Sequence, residues 1–460
     1  MKNIAIIIAV LSLQNVFSQV NLMDTTNQYD YVIITIPEFV ATCEVFAEHK
    51  ENVRDLKTLV VDTTMILNEF NSNTMIQDNI RDFISYAGTF WKSPQPKYFL
   101  FAGNLNVIPN YEHTLIDFTA HSDFKYSQSI YDDDSLSVEF YIGRVPASNI
   151  EEVNNYFNKV VKYESDENLY PWNNNSLFFA EYDTSQNFLI QERATSVANL
   201  IPGYIDNYFF FENDSSSANP MRDSLLFYLN SIGMSSLWIF SLYFDSAIGY
   251  SNFFTIDDID LLSNANKPFV VFNMSTQLFA TDSTVSFNDK FLLSEGGSIA
   301  GIASVGLVFY PSIVFQFQMY SSKLYISQTN SLGEVLDQGI NGYQKMVMNL
   351  WGDPSLKLKY DVTTDVKPIS PFPTEYSLEQ NYPNPFNPLT TIRFSIPVSG
   401  NVELKIYNVL GKEIKILTDR FYNSGNHEVE FDAGALSSGV YFYTIGSGDF
   451  HQTRKMILMK

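Results

Sequence analysis

The chain has 460 residues, enough for roughly two or three domains at about 100–200 residues each, and its 45% hydrophobic and 15% aromatic content calls for packed cores. With 28 Lys/Arg against 51 Asp/Glu the formal charge is −23, which argues against a nucleic-acid partner and against an anionic membrane surface, since both need a basic patch. The acidity is uneven: residues 361–460 hold nine Lys/Arg and eleven Asp/Glu, so −21 of the charge falls on residues 1–360.

Met1–Ser18 is the one membrane-type stretch. Lys2 supplies a positive start, Ile4–Leu13 a short apolar run, and Val16-Phe17-Ser18 an imperfect small-residue cleavage site. This pattern predicts a secretory signal peptide, too short to span a bilayer stably, so the mature chain should have no transmembrane segment. Export permits disulfides, but with Cys43 alone none can form within the chain. Phe39, Cys43 and Phe46 recur at helical spacing, which makes Cys43 a buried structural thiol.

Strands alternate with helices in the first part. Tyr31–Ile36, Leu56–Val61 and Tyr98–Phe101 read as strands, with helices over Glu38–Glu51 and Thr74–Ala87 between them. A helix follows at Glu151–Glu164. The pattern then repeats: strand Leu177–Ala180, helix Gln191–Leu200, strand Tyr208–Phe211 and helix Met221–Ser231. Two apolar runs follow, Ser235–Asp245 and Lys267–Phe279, each stopping at small or polar residues. Then come helix Phe287–Leu293, strand Gly297–Ser304 and a long helix over Leu332–Asn349. Such alternation predicts an α/β domain, doubly wound around a mostly parallel sheet. Ligands of such sheets sit beyond the carboxyl ends of the strands, so Leu242–Asp245 and Met274–Gln277 should border one cleft.

Several segments, in order, resemble the gingipain-like cysteine peptidases of family C25: Lys97–Asn104 with Pro109, Ser122-Asp123-Phe124-Lys125-Tyr126, Tyr141-Ile142-Gly143-Arg144-Val145-Pro146, Tyr163-Glu164, Asp289 at an acidic position, and Gly352-Asp353-Pro354-Ser355-Leu356. The resemblance spans about residues 29–358 and implies a caspase-like fold. In that family the first apolar run ends in a Gly-His-Gly turn and the second in the catalytic Cys. Here the turn reads Leu242-Tyr243-Phe244 and the Cys position reads Ser275. Asp123 is the candidate acidic partner of this degenerate site. The family also binds structural calcium. Asp132-Asp133-Asp134 offers hard oxygen ligands for it, but lacks an EF-hand pattern and reads more simply as a solvated loop. No other cofactor is expected, because no His-x-x-x-His or Cys-x-x-Cys pair occurs.

Asp361–Tyr376 carries Pro368, Pro371 and Pro373 without periodicity and reads as a linker between a domain over 19–360 and one over 377–460. The last domain has six short alternating strands: Thr391–Ile396, Val402–Tyr407, Glu413–Leu417, His427–Phe431, Val440–Ile445 and Lys455–Met459. Glycines punctuate them, which predicts a small Ig-like β-sandwich. Asn381–Pro388, Ile406-Tyr407-Asn408, Gly411, Gly439-Val440-Tyr441 and Lys455–Leu458 resemble the type A C-terminal sorting domain of the type IX secretion system. That resemblance implies a secreted cargo of a Bacteroidetes-type bacterium, handled by the secretion machinery through residues 377–460.

A cysteine peptidase needs a thiolate and a histidine to activate it. The chain's histidines are His49, His113, His121, His427 and His451, and none falls between residues 122 and 426. Tyr243 stays protonated at neutral pH, with a reference pKa near 10. A serine hydroxyl at 275 is a poor nucleophile without a base. Leu242 and Phe244 replace two glycines and add apolar bulk. The expectation is a non-catalytic, gingipain-like protein that binds a protein or peptide at or outside the cell surface. The alternatives are an active endopeptidase with a rewired Ser275, for which His121 is the first candidate base, and a structural surface protein.

Overall fold

The computed structural model describes residues 20–459 except 115–118, 132–137, 182–188, 213–217, 242–246, 249–251, 274–285, 306–309, 327–330, 338–345, 363–375, 397–399, 423–424 and 449. The first domain opens with β1 (Tyr31–Thr35), α1 (Val40–Arg54), β2 (Thr58–Asp62), α2 (Thr63–Glu69), α3 (Ile76–Phe90) and β3 (Tyr98–Ala102). A hairpin of β4 (Tyr111–Thr114) and β5 (Thr119–Ser122) follows, then β6 (Tyr141–Val145) and α4 (Ile150–Ser165). Next come β7 (Asn175–Ala180), α5 (Leu189–Ala198), β8 (Asp206–Phe211), α6 (Ala218–Leu226) and β9 (Ser236–Phe240). The domain closes with the short pair β10 (Ala247–Ile248) and β11 (Phe254–Thr255), then β12 (Phe269–Asn273), α7 (Phe287–Leu293), β13 (Ser298–Ser304), α8 (Tyr310–Ile326), α9 (Leu332–Asp337) and β14 (Met348–Gly352).

Ten of these strands form one sheet in the order β2-β1-β3-β6-β14-β13-β12-β9-β7-β8. Every pairing is parallel except β13 with β14. β1, β9 and β12 are buried along their whole length, which is why YVIIT, SLWIF and FVVFN are apolar runs rather than alternating patterns. Helices cover both faces through one-sided apolar stripes. In α3 the stripe is Ile80, Phe83, Ile84 and Ala87; in α4 it is Val153, Tyr156, Phe157 and Val160. Asn149 starts α4 by accepting from Glu152 N at 3.0 Å.

Two parts of the sequence reading need correction. The long helix expected over Leu332–Asn349 stops short of its expected end: among the described residues Leu332–Asp337 is helical, and Met348–Gly352 is a strand. The run Val347–Trp351 fits either a buried helix or a buried strand, and pairing with β13 on one side and β6 on the other decides for the strand. That strand joins the two halves of the sheet. In addition, α8 carries no sequence periodicity that would reveal it. Gln316 and Ser321 are buried beside Phe317, Tyr320, Leu324 and Tyr325, while Met319 lies on the partly exposed side with Gln318, Ser322 and Lys323, so polar and apolar residues are mixed on both faces.

The family-like motifs meet at this seam. A Cβ on Gly143 would lie 2.1 Å from Gly352 O, so only glycine fits there. Gly352 itself has φ +100°. Asp353 accepts from Tyr31 Oη at 2.8 Å and from Ser355 N at 2.8 Å, and it pairs with Lys50 Nζ. Lys50 also reaches both oxygens of Glu164 at 2.8 Å, and Arg54 Nη1 reaches Oε1 at 2.6 Å.

The second domain has two antiparallel sheets. One comprises β15 (Ser377–Leu378), β16 (Leu389–Ile396) and β19 (Gly425–Asp432); the other comprises β17 (Gly400–Asn408), β18 (Glu413–Tyr422), β20 (Gly439–Ser447) and β21 (Phe450–Leu458). Ile392, Phe394, Leu404, Ile406, Tyr443, Ile445 and Met456 form the shared core between them, as a β-sandwich requires. Asn381 is buried. Its Nδ2 donates to Thr390 Oγ1 at 2.9 Å, and its backbone N donates to Tyr443 Oη at 2.8 Å, which fixes the opening motif to the sandwich.

Candidate active site

The sheet places the two apolar runs side by side. β9 and β12 are hydrogen-bonded neighbours running in parallel, with Ile239 opposite Asn273. Their carboxyl ends are therefore flush, and the chain leaves them towards Leu242–Phe244 and towards Ser275. Tyr243 and Ser275 themselves lie outside the described residues, as do Leu242, Phe244 and the acidic run Asp132–Asp134. Among the described residues no group of three or more His, Cys, Asp or Glu could hold a metal ion.

The described residues at the carboxyl ends of these strands are polar. Ser241, the residue before the turn, is buried and donates through Oγ to Glu181 Oε2. Glu181 follows β7, the other neighbour of β9, and its backbone N donates to Phe240 O at 2.9 Å. Its burial puts a carboxylate against Ser241, the last described residue before Leu242. Sequence reasoning missed this residue. The signal available was its place one residue beyond an apolar strand, where the same rule that located the cleft would also have put it. Asn273, at the end of β12, is buried and bonds through Nδ2 to Asn288 Oδ1 at 3.4 Å.

Asp123 belongs to a different part of the sheet. Its two carboxylate oxygens accept from Arg144 Nε at 2.8 Å and Nη2 at 2.6 Å, a bidentate pair buried over the Phe101 ring. Arg144 Nη1 donates to Ile108 O at 2.7 Å. Arg144 is on β6, and three strands stand between β6 and β9, a separation of roughly 19 Å at about 4.8 Å per step. Glu181 stands one step from β9. Asp289 lies between these regions at the start of α7. Burial pushes its carboxyl up, although it accepts from Trp351 Nε1 at 2.8 Å and from Ser286 N at 3.0 Å.

None of the five histidines is on the β7–β9–β12 side. His49 bonds to Glu164 Oε2 at 2.9 Å. His113 and His121 belong to the β4–β5 hairpin, where His121 stands opposite Glu112. His113 is buried with Nε2 unpartnered, and burial lowers its pKa to about 4. His427 and His451 are in the sandwich. Cys43 is fully buried on α1 among Phe39, Phe46 and Phe157, and burial pushes its thiol up to about 12.

Sequence comparison places this geometry. The profile of peptidase family C25 matches residues 24–359. The chain belongs to peptidase family C25. A secretion system C-terminal sorting domain matches residues 380–459, so this family member is a cargo of that export route, delivered to the cell surface or beyond. No helix among the described residues is long and apolar enough to cross a membrane.

Solved structures agree on the fold. The chain resembles the Arg-specific cysteine proteinase gingipain R at 15% identity and TM-score 0.59, with 94% of this chain and 98% of that one covered. It also resembles the complex of the Porphyromonas gingivalis RgpB pro- and mature domains at 16% identity and TM-score 0.60, covering 94% and 100%. No curated protein sequence matches the chain.

Proposed function

We propose that this family C25 member is a pseudopeptidase that acts by binding at or outside the cell surface. Cys43 is the observation that carries the reading. The family's chemistry runs through a thiolate, and the chain's one cysteine is buried on a helix of the first half-sheet with its thiol raised to about 12. The candidate positions at the ends of β9 and β12 hold Tyr243 and Ser275, and neither supplies a thiolate or an imidazole. Glu181 puts a buried carboxylate against Ser241, two residues before Tyr243 in the chain. A carboxylate there can orient a histidine, and the residue at the histidine position is Tyr243, a weak base at neutral pH.

Labelling with thiol-directed active-site probes tests this directly. The native protein should show no modification at any position, and Cys43 should react only after unfolding. The companion variant Ser275→Cys with Tyr243→His, Leu242→Gly and Phe244→Gly restores the missing groups and the turn. Rapid labelling at residue 275 in that variant, absent from the native chain, is the expected result. Labelling of native Cys43 at the rate of a free surface thiol would overturn the reading.

A further inference from the structure

At the opposite end of the same strands lies a second cleft of about 590 Å³. It opens where the chain enters the sheet. Trp172 and Asn173 lead into β7, Ile232 precedes β9, and Pro268 precedes β12. A strand of six residues rises about 20 Å, so this cleft is separate from the one beyond the carboxyl ends. Its volume falls in the range of small-molecule sites, about 300–1,000 Å³.

The lining departs from the rest of the domain. Residues 1–360 carry a net charge of −21, yet Lys162, Lys267 and Lys359 converge here. Each ammonium is held by neutral oxygens. Lys162 donates to Asn266 Oδ1, Lys267 to Ser231 O at 2.7 Å, and Lys359 to the backbone oxygens of Tyr163 and Asp166. Among the described residues none of the three has a carboxylate within ion-pair distance. Such contacts fix an ammonium in place without an ion pair, although the Asp166 and Glu164 charges act on Lys359 from farther away. Lys359 is saturated by these two backbone bonds and a third to Glu164 O at 3.3 Å. An ammonium has three donors, so Lys162 and Lys267 keep hydrogens free for a ligand. A fourth cation, Lys159, is consumed by Leu292, Ser294 and Ser298 carbonyls. The one carboxylate in the lining, Asp166, accepts from Asn168 N at 3.1 Å and Asn168 Nδ2 at 2.8 Å and is also hydrogen-bonded to Tyr170, so it stays ionised on the Tyr170 side of the cleft.

The cleft also has an aromatic wall. Tyr170 and Trp172 stack with centroids 6.4 Å apart and planes 8° apart, and Tyr170 is 42% exposed. A flat ring face beside unpaired ammoniums suits a ligand that has both a stackable ring and an anionic group.

We propose that this cleft binds an acidic saccharide unit, a pyranose carrying a carboxylate or phosphate, with its ring on Tyr170 and its anion on Lys162 and Lys267. The site lies at the far end of the sheet from Tyr243 and Ser275, so it operates whether or not those positions have chemistry.

Isothermal titration of the purified full chain tests the proposal with glucuronate, glucose 6-phosphate, glucose and inorganic phosphate as probes. Both acidic sugars should bind and glucose should not. Raising salt should weaken the binding, because its main contact is between opposite charges. The double variant Lys162→Gln, Lys267→Gln should bind about tenfold or more weaker, as expected for the loss of charge-assisted hydrogen bonds. Tyr170→Ala should weaken glucose 6-phosphate and leave inorganic phosphate unchanged. All three side chains are partly or fully exposed, so unchanged thermal unfolding should accompany these losses. The proposal is overturned by glucose binding as well as the acidic sugars, by undiminished affinity in the double lysine variant, or by no binding of either acidic sugar. It is also overturned if inorganic phosphate matches glucose 6-phosphate and Tyr170→Ala affects neither, which marks a simple anion site.

Discussion

The two halves of the large sheet are held together by different physics. Around β1, β3 and β6 the interior is charged: Lys50, Arg54 and His49 surround Glu164, Lys50 and Tyr31 hold Asp353, and Arg144 grips Asp123. Around β7, β9 and β12 it is aromatic. Trp238 stacks on Phe272 at 4.1 Å and on Phe178 at 5.7 Å, with Phe317 edge-on at 5.0 Å. The half that leads to Tyr243 and Ser275 thus rests on apolar packing. The half far from them contains the buried ion pairs. The buried ion pairs around Glu164 and Asp353 join α1 and α4 to the loop after β14.

A pair of core substitutions should separate the two modes. Lys50→Met leaves Glu164 and Asp353 without their shared cation, and breaking a buried pair in this way costs about 3–5 kcal/mol. Phe272→Ala removes one ring of the stack and leaves a cavity, at a similar cost of about 3–5 kcal/mol. Chemical denaturation at neutral pH should give comparable losses for both variants. The comparison fails if Lys50→Met is neutral, because the ion network would then hold nothing together.

Acid should act on one half only. Burial alone would raise the Glu164 carboxyl, but the His49 hydrogen bond and the Lys50 and Arg54 cations more than offset it and bring its pKa from 4.5 to about 2. A depressed carboxylate stabilises fully above its unfolded pKa and loses that contribution as pH falls towards the folded one. Stability should therefore drop between about pH 4.5 and pH 2, by roughly 3 kcal/mol at 1.36 kcal/mol for each tenfold in acidity. Phe272→Ala should keep that acid dependence in denaturation curves, and Lys50→Met should lose much of it. A smaller effect is expected from Arg144→Lys, which keeps the charge but loses the planar fork to Asp123. Its cost should be about 1–3 kcal/mol by thermal unfolding. An unchanged midpoint would show that the bidentate geometry is unimportant.

Much of this architecture was legible in the chain. β1, β9 and β12 announce themselves as apolar runs, and the repeated strand–helix alternation indicates a parallel sheet. The sandwich strands alternate visibly because one face of each is solvated. What stayed hidden depended on tertiary partners. Met348–Gly352 is a strand only because β13 and β6 flank it, and α8 is hard to read because its buried face includes the polar Gln316 and Ser321. At the candidate site, Tyr243 and Ser275 could be picked out by resemblance, and the strand register brings their two strands together. Glu181 could not be preferred over Asp123 from sequence, since only the strand order reveals which carboxylate neighbours β9. The lysine cleft was equally hidden, because its members are spread from Lys162 to Lys359.

The central claim is that the cleft beyond β9 and β12 has lost its chemistry. Its most direct test is peptide cleavage by the purified full chain at neutral pH, measured against a broad peptide mixture beside the Ser275→Ala variant. The account predicts that the two proteins are indistinguishable and that neither cleaves above background. Cleavage by the native chain that disappears in Ser275→Ala would contradict it and would assign Ser275 as an active nucleophile.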